Sequence, residues 1–544
     1  MIVLGISGGH DANWCVCRDG ELLGAWEKER FTRRRRDTGE VLSLVEGSLS
    51  GLGLTPADID CLATSEPVKP DQPPGHRLLS GRRYERLDDW QWQVAKCLGR
   101  IVPCLSVPHH LAHAAYARFS SPFTDTAVLT VDGVGDEYTV DARAATTISS
   151  WRGSRLEWIE RVDNADIGSL WFGYSHAIFD DRWAAGKLMG LAAFGTDRLV
   201  EEMRDRVVRP VHGTLEGAAT VKDCWSDFDR PPFIERTGSW EDETARDAAF
   251  AIQAVTTEAG VSLASALRRM SGHTNLALAG GVSLNGYMTT AITREAGFNQ
   301  VHVPPAVHDG GLAVGAALFA AHHELGADFD PSAPRELAFL GNGYSPERVA
   351  RAVSESGVDA TPHGVPEAVD RAAQVLADGG FVAWYEGRSE HGPRALGHRS
   401  ILSSPLDDSY RGRLNSEVKF RETFRPVAPV VLEDDASRYF DLDRPSPFMM
   451  RIVDANPTTI AAAPAAVHRD NTSRVQTVGS ESSLGQITAR FGSLTGTPIV
   501  INTSLNVRTP IVETPEEALD VFSRSPIDLI YVDGYLAERE TTRG

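Results

Sequence analysis

The chain opens on the apolar run MIVLGIS, breaks at GGHDA, and resumes with NWCVCRD, in which alternate positions are apolar. Short apolar runs bounded by Gly and Asp predict strand, turn, strand. A Asp-Gly step then leads into a third such segment, ELLGAWEKER. This turn leaves the backbone N–H groups from Ser7 to Asp11 free to meet a ligand. The pattern recurs in DTAVLTVDGVGDEYTVDARA, where an apolar strand runs into Asp132, Gly133, Val134, Gly135 and Asp136 and a second strand leaves. Two units of this kind predict a duplicated fold. TNLALAGGVSLNGYMTTAITREAG then reads as buried strand, Gly-Gly turn and helix, and VHVPPAVHDGGLAVGAALFAAHHEL repeats strand, loop, helix. This alternation predicts an α/β domain over 1–335. The Pro, Gly and Asp in ADFDPSAPRELAFLGNGYSPERV mark a junction, after which a helix and strand series from VPEAVDRAAQVLADGGFVAWYEG fills 336–544. The apolar-poor segment from Asn456 to Ser483 is expected to be a long surface loop.

Composition narrows this picture. At 544 residues the chain exceeds what one core organises. The 54 Lys and Arg against 74 Asp and Glu give a formal charge of -20, which repels polyanions over the surface as a whole. A nucleic acid partner is therefore disfavoured, while a local basic pocket for a small phosphate is not. No basic leader precedes the first apolar stretch, and GGLAVGAALFAA is too short to cross a bilayer, so a cytoplasmic protein without membrane attachment is expected. Cys15, Cys17, Cys61, Cys97, Cys104 and Cys224 show no C-x-x-C pattern. Cys15 and Cys17 share one face of a strand, where core packing is the ordinary reading.

Three constellations carry candidate chemistry. In VPHHLAHAAYARF, His109 and His113 are four apart in a segment of helical composition, so both rings leave one face. Asp132 follows a buried strand and Asp309 opens a helix, the kind of position where sites assemble. Two His and two Asp offer a nitrogen and oxygen set suited to Fe(II), Mn(II) or Zn(II), although both Asp could instead cap turns and helices. Gly280 and Gly281 would let a ligand approach the backbone, with the Asn285 amide one turn later, or they serve tight packing. In KFRETFRPVAP, Lys419, Arg421 and Arg425 lie close together, and Arg388, Arg394, Arg399 and Arg474 extend the basic set. Such a cluster in an acidic chain suits a small polyanion, or forms a surface ion-pair network.

Taken together, H-x-x-x-H, DGVGD, AGGVSLN and HDGG resemble the actin and sugar kinase type ATPase fold (ASKHA), in its metal-bearing branch that includes the universal tRNA threonylcarbamoyl-transfer protein. The whole chain resembles the NodU/CmcH O-carbamoyltransferases, the group of the tobramycin, cephamycin and novobiocin enzymes. The matching runs include GISGGHDA, EKERFTR, HHLAH, VDGVGDE, AAGKLMGLAAFG, AGGVSLN, EGRSEHGPRALGHRSIL, KFRETFRPVAP, NTSRVQTV and INTSLN. The resemblance implies an N-terminal duplicated ASKHA-type transfer domain and a C-terminal α/β domain similar to threonylcarbamoyl-adenylate synthase (YrdC-like). It implies iron, or another divalent transition metal, on His109, His113, Asp132 and Asp309. His10 would sit beside the transfer site, as general base or as an orienting group. Gly280, Gly281, Val282 and Asn285 would hold adenosine, with Gly186 and Lys187 in a further such element. The second domain would form carbamoyl-adenylate from carbamoyl phosphate and ATP with Mg²⁺. Lys419 and Arg421 would act there as catalytic groups, and Arg388, Arg394, Arg425, Arg474, Asn502, Ser504 and Asn506, with Gln476 and Thr477, as contacts. The acceptor would be a hydroxyl of a small natural product.

The chain departs from this family pattern twice. Arg35 and Arg36, within Arg33 to Arg36, replace a usual Lys-His pair, and INTSLNVRTPIV is a residue shorter and lacks a Gly. Two other readings remain. A threonylcarbamoyl transferase acting on tRNA is disfavoured by the charge of -20. A non-catalytic nucleotide switch leaves the basic pocket of the second domain without a role. A hydrogenase-maturation carbamoyltransferase would carry zinc-binding cysteine pairs, which are absent from this sequence.

Overall fold

The opening alternation folds as a meander: β1 (Ile2–Ser7), β2 (Asn13–Arg18) and β3 (Glu21–Glu27) pair antiparallel in turn. β4 (Cys61–Thr64) then joins β1 in parallel, followed by β5 (Gln91–Cys97) and β6 (Arg100–Ser106), which complete a sheet ordered β3-β2-β1-β4-β6-β5. The second sheet repeats the connectivity. β7 (Asp125–Val131) pairs antiparallel with Thr146–Arg152, which pairs with Arg155–Arg161, and β7 pairs in parallel with Asn275–Ala279, beside which Gln300–His302 runs parallel. A three-strand meander whose first strand then accepts parallel strands thus occurs twice, which is the duplication expected of the actin and sugar kinase type of fold. The computed structural model describes residues 1–66, 86–133, 138–139, 142–143, 145–163, 165–211, 215, 218–221, 231, 233–234 and 239–539. Val134, Gly135, Asp136 and Cys224 lie outside the described residues.

The chain divides into two compact units, Met1–Glu29 with Arg36–Leu337 and Arg30–Arg35 with Ala338–Gly544. In the first, small residues let the site-bearing helices approach closely. A Cβ on Gly5 would strike the Ala313 carbonyl, and one on Gly315 would strike the Ala112 carbonyl. Helix Leu312–Leu318 therefore lies against both β1 and helix His109–Ser120. Every residue of the latter helix is buried, so its Ala-rich sequence acts as filler around the histidines. Cys15, Cys17, Cys61, Cys97 and Cys104 are free and buried, as core packing predicts. The helix Glu243–Ser271 has the length and composition to cross a membrane, but 61% of its apolar window is buried. Ala248, Ile252, Val255 and Leu263, all fully buried, belong to the protein interior.

The second unit is built on an eight-stranded sheet. Strand Phe381–Tyr385 shows how it is sandwiched: Phe381, Ala383 and Tyr385 enter one core, and Val382 and Trp384 enter the other with Ile487 and Phe491 of helix Ser483–Thr495. Strict alternation on a two-faced strand produces this division. The stretch from Asn456 to Ser483 is not the expected surface loop. It holds a helix at Pro457–Ala462 and strands at Thr472–Arg474 and Gln476–Val478, with Val475, Ser473 and Gln476 buried. Its buried polar side chains Ser473 and Gln476 are satisfied: Ser473 Oγ donates to the Ala466 carbonyl (2.9 Å) and Gln476 Nε2 to that of Leu396 (2.7 Å).

Candidate active sites

In the first unit, helix His109–Ser120 presents His109 and His113 one turn apart, their ring centroids 4.8 Å from each other. Asp132 leaves the end of β7 and Asp309 opens a short 3-10 turn ahead of helix Leu312–Leu318. The four side chains converge: one ligand atom from each lies within 4.8 Å of all the others, and all four residues are buried. His109 Nε2 is 3.3 Å from Asp132 Oδ2, and His113 Nε2 is 3.3 Å from Asp309 Oδ1. Burial pushes the Asp132 carboxyl up, but the hydrogen bond to His109 and the nearby His113 ring hold it well below the usual carboxylate range. His113 Nε2 is buried without a well-formed hydrogen bond. Two imidazoles and two ionised carboxylates so disposed fit a divalent transition metal, and the cluster could hold one.

Its surroundings brace it. Asn13 Nδ2 donates to the Asp309 carbonyl (2.8 Å), while Asn13 Oδ1 accepts from the Ala313 N–H (3.0 Å). The Gly281 N–H donates to Asp132 Oδ1 (2.9 Å). His10 Nε2 is 3.2 Å from Asp309 Oδ2, and its Nδ1 is 2.9 Å from Asp11 Oδ2. Burial would lower the His10 pKa, but the Asp309 and Asp11 carboxylates outweigh it and raise it to about 9. Trp183 stacks obliquely 4.8 Å from the His10 ring, with the Arg36 guanidinium 5.0 Å from the indole. Asp11, Asn13 and Trp183 were missed by sequence reasoning. The first two stand in the same GGHDAN run as His10, so the run itself was the available signal.

The nucleotide elements divide. Gly280 takes φ +82, and a Cβ there would strike the Val131 carbonyl, so glycine is required by both conformation and space. Val282 lies in the 3-10 turn Gly281–Leu284. The Asn285 amide is occupied: its Oδ1 accepts from the Met288 N–H (3.1 Å), and its Nδ2 donates to Gln253 Oε1 (3.0 Å). It caps helix Gly286–Glu295 in place of offering a free amide. Gly186 and Lys187 begin helix Ala185–Ala192, where Gly186 is exposed and the Lys187 ammonium lies 5.5 Å from the Phe179 ring.

In the second unit the basic residues separate into two groups. Arg399 is fully buried, donates to the carbonyls of Glu386 (2.8 Å) and Gly387 (2.9 Å), and packs over Tyr385, so it is a framework residue. Arg388 donates to the carbonyls of Leu340 and Gly341 (2.5 and 2.9 Å). Lys419, Arg421, Arg425, Arg394 and Arg474 instead crowd together. Burial depresses the pKa of each, and neighbouring cations depress it further: Arg421 falls to about 9 and Arg394 to about 10. Glu422, 3.7 Å from Arg425, offsets only part of this charge. Arg394 Nε, Arg474 Nε and Asn502 Oδ1 are buried without hydrogen-bond partners. Lys419 Nζ is held by the carbonyls of Ser504 (2.6 Å) and Asn506 (2.8 Å) and by Asn506 Oδ1 (2.5 Å). Ser504 and Asn506 therefore orient the lysine. Thr477 Oγ1 accepts from the Ser446 N–H (2.8 Å) and ties down a neighbouring loop.

Two residues of the Arg33 to Arg36 run reach the segment after Asn506. Arg33 donates to the carbonyls of Pro510 (2.7 Å) and Ile511 (2.8 Å), and Arg35 to that of Thr509 (3.3 Å). The arginine run thus holds the shortened segment that follows Asn506.

Comparison with known proteins agrees with this layout. Residues 81–318 match the family model described as Carbamoyltransferase N-terminus, and residues 373–539 that of Carbamoyltransferase C-terminus. The chain is 30% identical over 600 residues to an uncharacterized protein of Synechocystis sp., covering 98% of this chain and 96% of that one. It is 31% identical over 458 residues to the nodulation protein NolO of Bradyrhizobium diazoefficiens, covering 79% and 78%. With NolNO of Sinorhizobium fredii it shares 29% over 587 residues, covering 99% and 83%. Among solved structures, full-length HypF in its phosphate- and nucleotide-bound form aligns with 60% of this chain and 56% of its own, at 14% identity and a TM-score of 0.32.

Proposed function

The chain belongs to the carbamoyltransferase family, and from that premise we propose that it is an ATP-dependent O-carbamoyltransferase acting on a hydroxyl of a small natural product. The observation that carries this reading is the crowd of cations in the second unit, depressed by burial and by one another and with Arg394 Nε and Arg474 Nε unsatisfied. Like charges packed so closely are stabilised by a polyanion, and carbamoyl phosphate together with ATP supplies one.

In this reading, residues 336–544 form carbamoyl-adenylate. Carbamoyl phosphate gives up inorganic phosphate, and the carbamate oxygen so freed attacks the α-phosphate of ATP and displaces pyrophosphate, which needs the phosphates neutralised and aligned. Lys419, fixed by Ser504 and Asn506, and Arg421, fixed through its Nε by Asn415 Oδ1 (2.7 Å), supply charge at set positions. Arg394, Arg425 and Arg474 receive the remaining oxygens, and Asn502 Oδ1 is an acceptor suited to the carbamoyl N–H₂. Residues 1–335 carry the transfer. His109, His113, Asp132 and Asp309 would hold a divalent metal, iron by the family resemblance, which when bound polarises a carbonyl oxygen. His10, held between Asp11 and Asp309 with its pKa raised to about 9, is protonated at neutral pH and so orients the carbamoyl group instead of taking the acceptor proton. The turn Gly280, Gly281 and Val282 is the candidate adenosine contact implied by the family resemblance, with Gly280 serving close packing against Val131.

The test is pyrophosphate and AMP release by the purified protein with Fe²⁺, Mg²⁺, ATP and carbamoyl phosphate. Release should depend on carbamoyl phosphate, vanish in Lys419→Ala, and persist in His109→Ala. Release that survives Lys419→Ala, or that needs no carbamoyl phosphate with any candidate alcohol present, sinks the reading.

A further inference from the structure

Arg394 stands among like charges, so repulsion favours any movement that swings its loop outward. Something in the fold must hold that loop in place. It runs from Glu390 to Arg399, and its first residue grips its far end. Glu390 Oε1 accepts hydrogen bonds from the N–H groups of Leu396 (2.8 Å), His398 (2.9 Å) and Arg399 (3.0 Å). Glu390 is 1% exposed. Burial pushes its carboxyl up, yet His398, Arg399 and Arg30 leave it below its ordinary value, so it remains ionised. The chain closes around this oxygen through Gly392 and Gly397, at φ 107 and 130, which other residues rarely adopt.

Two further hydrogen bonds tie the loop to neighbouring strands. The Ala395 carbonyl accepts from Asn502 Nδ2 (3.0 Å) and the Leu396 carbonyl from Gln476 Nε2 (2.7 Å). Arg394 belongs to the same loop, close enough to Arg425 and Arg474 for their charges to interact. A carboxylate with three converging N–H donors is among the stronger anchors a loop can have.

We propose that Glu390 is a positioning residue for the anion site: its carboxylate pre-organises loop 391–399 so that Arg394 meets the phosphate-bearing substrate together with Arg425 and Arg474. This rests on the reading of the cluster as the polyanion site. It predicts that Glu390 and Arg394 act as one unit, which distinguishes positioning from a general contribution to folding.

The experiment is a double-mutant cycle on the full-length protein, reading inorganic pyrophosphate affinity by titration calorimetry and the KM for carbamoyl phosphate in the pyrophosphate-release assay. Glu390→Ala and Arg394→Ala should each weaken pyrophosphate binding about tenfold or more. The double variant should be no weaker than the poorer single variant. Glu390→Gln, which keeps the acceptor oxygen and the side-chain size, covers the case in which Glu390→Ala does not fold; it should raise KM with little change in kcat and be equally non-additive with Arg394→Ala. Single effects that multiply in the double variant, or a Glu390→Gln protein that binds pyrophosphate as the wild type does, overturn the proposal. A wild-type protein that binds no pyrophosphate removes the polyanion reading itself, a different failure.

Discussion

Asp309 joins three parts of the first site. Its Oδ1 faces the two metal-site histidines, its Oδ2 faces His10, and its backbone carbonyl is fixed by Asn13. Any group that sets the position of Asp309 therefore sets both the candidate metal cluster and His10. Asn13→Ala removes that tether without touching a ligand, and partners of this kind typically contribute about 10–100-fold to metal affinity. The expected outcome is a fall of that size in Fe²⁺ or Mn²⁺ affinity, measured by metal content after equilibrium dialysis, with an unchanged circular dichroism spectrum. Asp309→Asn should lose the metal altogether. At this scale the approach of His109 and His113 was legible in the sequence because their spacing carries geometry, one helical turn apart whatever surrounds them. Asn13 was not legible as a brace, since its partners are 296 and 300 residues away along the chain.

Single elements show why some local patterns read correctly and others did not. The Gly280–Gly281 turn was readable because a strand and a helix flank it, and the structure gives each glycine a separate task. Gly280 supplies a left-handed backbone in a place with no room for a Cβ, and Gly281 supplies the N–H that holds Asp132. Gly280→Ala combines a left-handed L-residue with a backbone clash, so a loss of about 2–4 kcal/mol is expected in urea unfolding. Gly281→Ala, whose Cβ would lie 3.2 Å from Asp132 Oδ1, should disturb metal affinity more than stability. The segment from Asn456 to Ser483 misled for the opposite reason. Its polar composition suggested solvent, while strand pairing of Thr472–Arg474 with Ile452–Asp454, and of Gln476–Val478 with Ala428–Leu432, supplies partners that only the folded sheet can reveal. Polar residues report burial poorly when each is satisfied by a distant carbonyl.

For the whole molecule, the formal charge of -20 and the cation cluster belong together. A chain this acidic repels long polyanions over its surface as a whole, and the enclosed arginines of the second unit are a local exception to that field. This has a thermal consequence. The two compact units carry candidate sites of different chemistry, a His and Asp cluster that could hold a metal in one and a cluster of guanidinium groups, proposed to meet phosphates, in the other. A ligand that binds only the folded form stabilises by mass action, by about 2.7 kcal/mol at a hundred times its Kd. For a unit the size of residues 338–544 this corresponds to a rise of roughly 5–10 °C in its unfolding temperature. Scanning calorimetry with saturating pyrophosphate should therefore raise the transition of the second unit. Fe²⁺ or Mn²⁺ should raise that of the first. At the same pyrophosphate concentration Arg394→Ala should cut the pyrophosphate shift to about half or less and keep the metal shift, while His113→Ala should lose the metal shift and keep the other. Loss of both shifts in either variant would mean that one ligand site depends on the other, and the assignment of adenylation and transfer to separate units would fall with it.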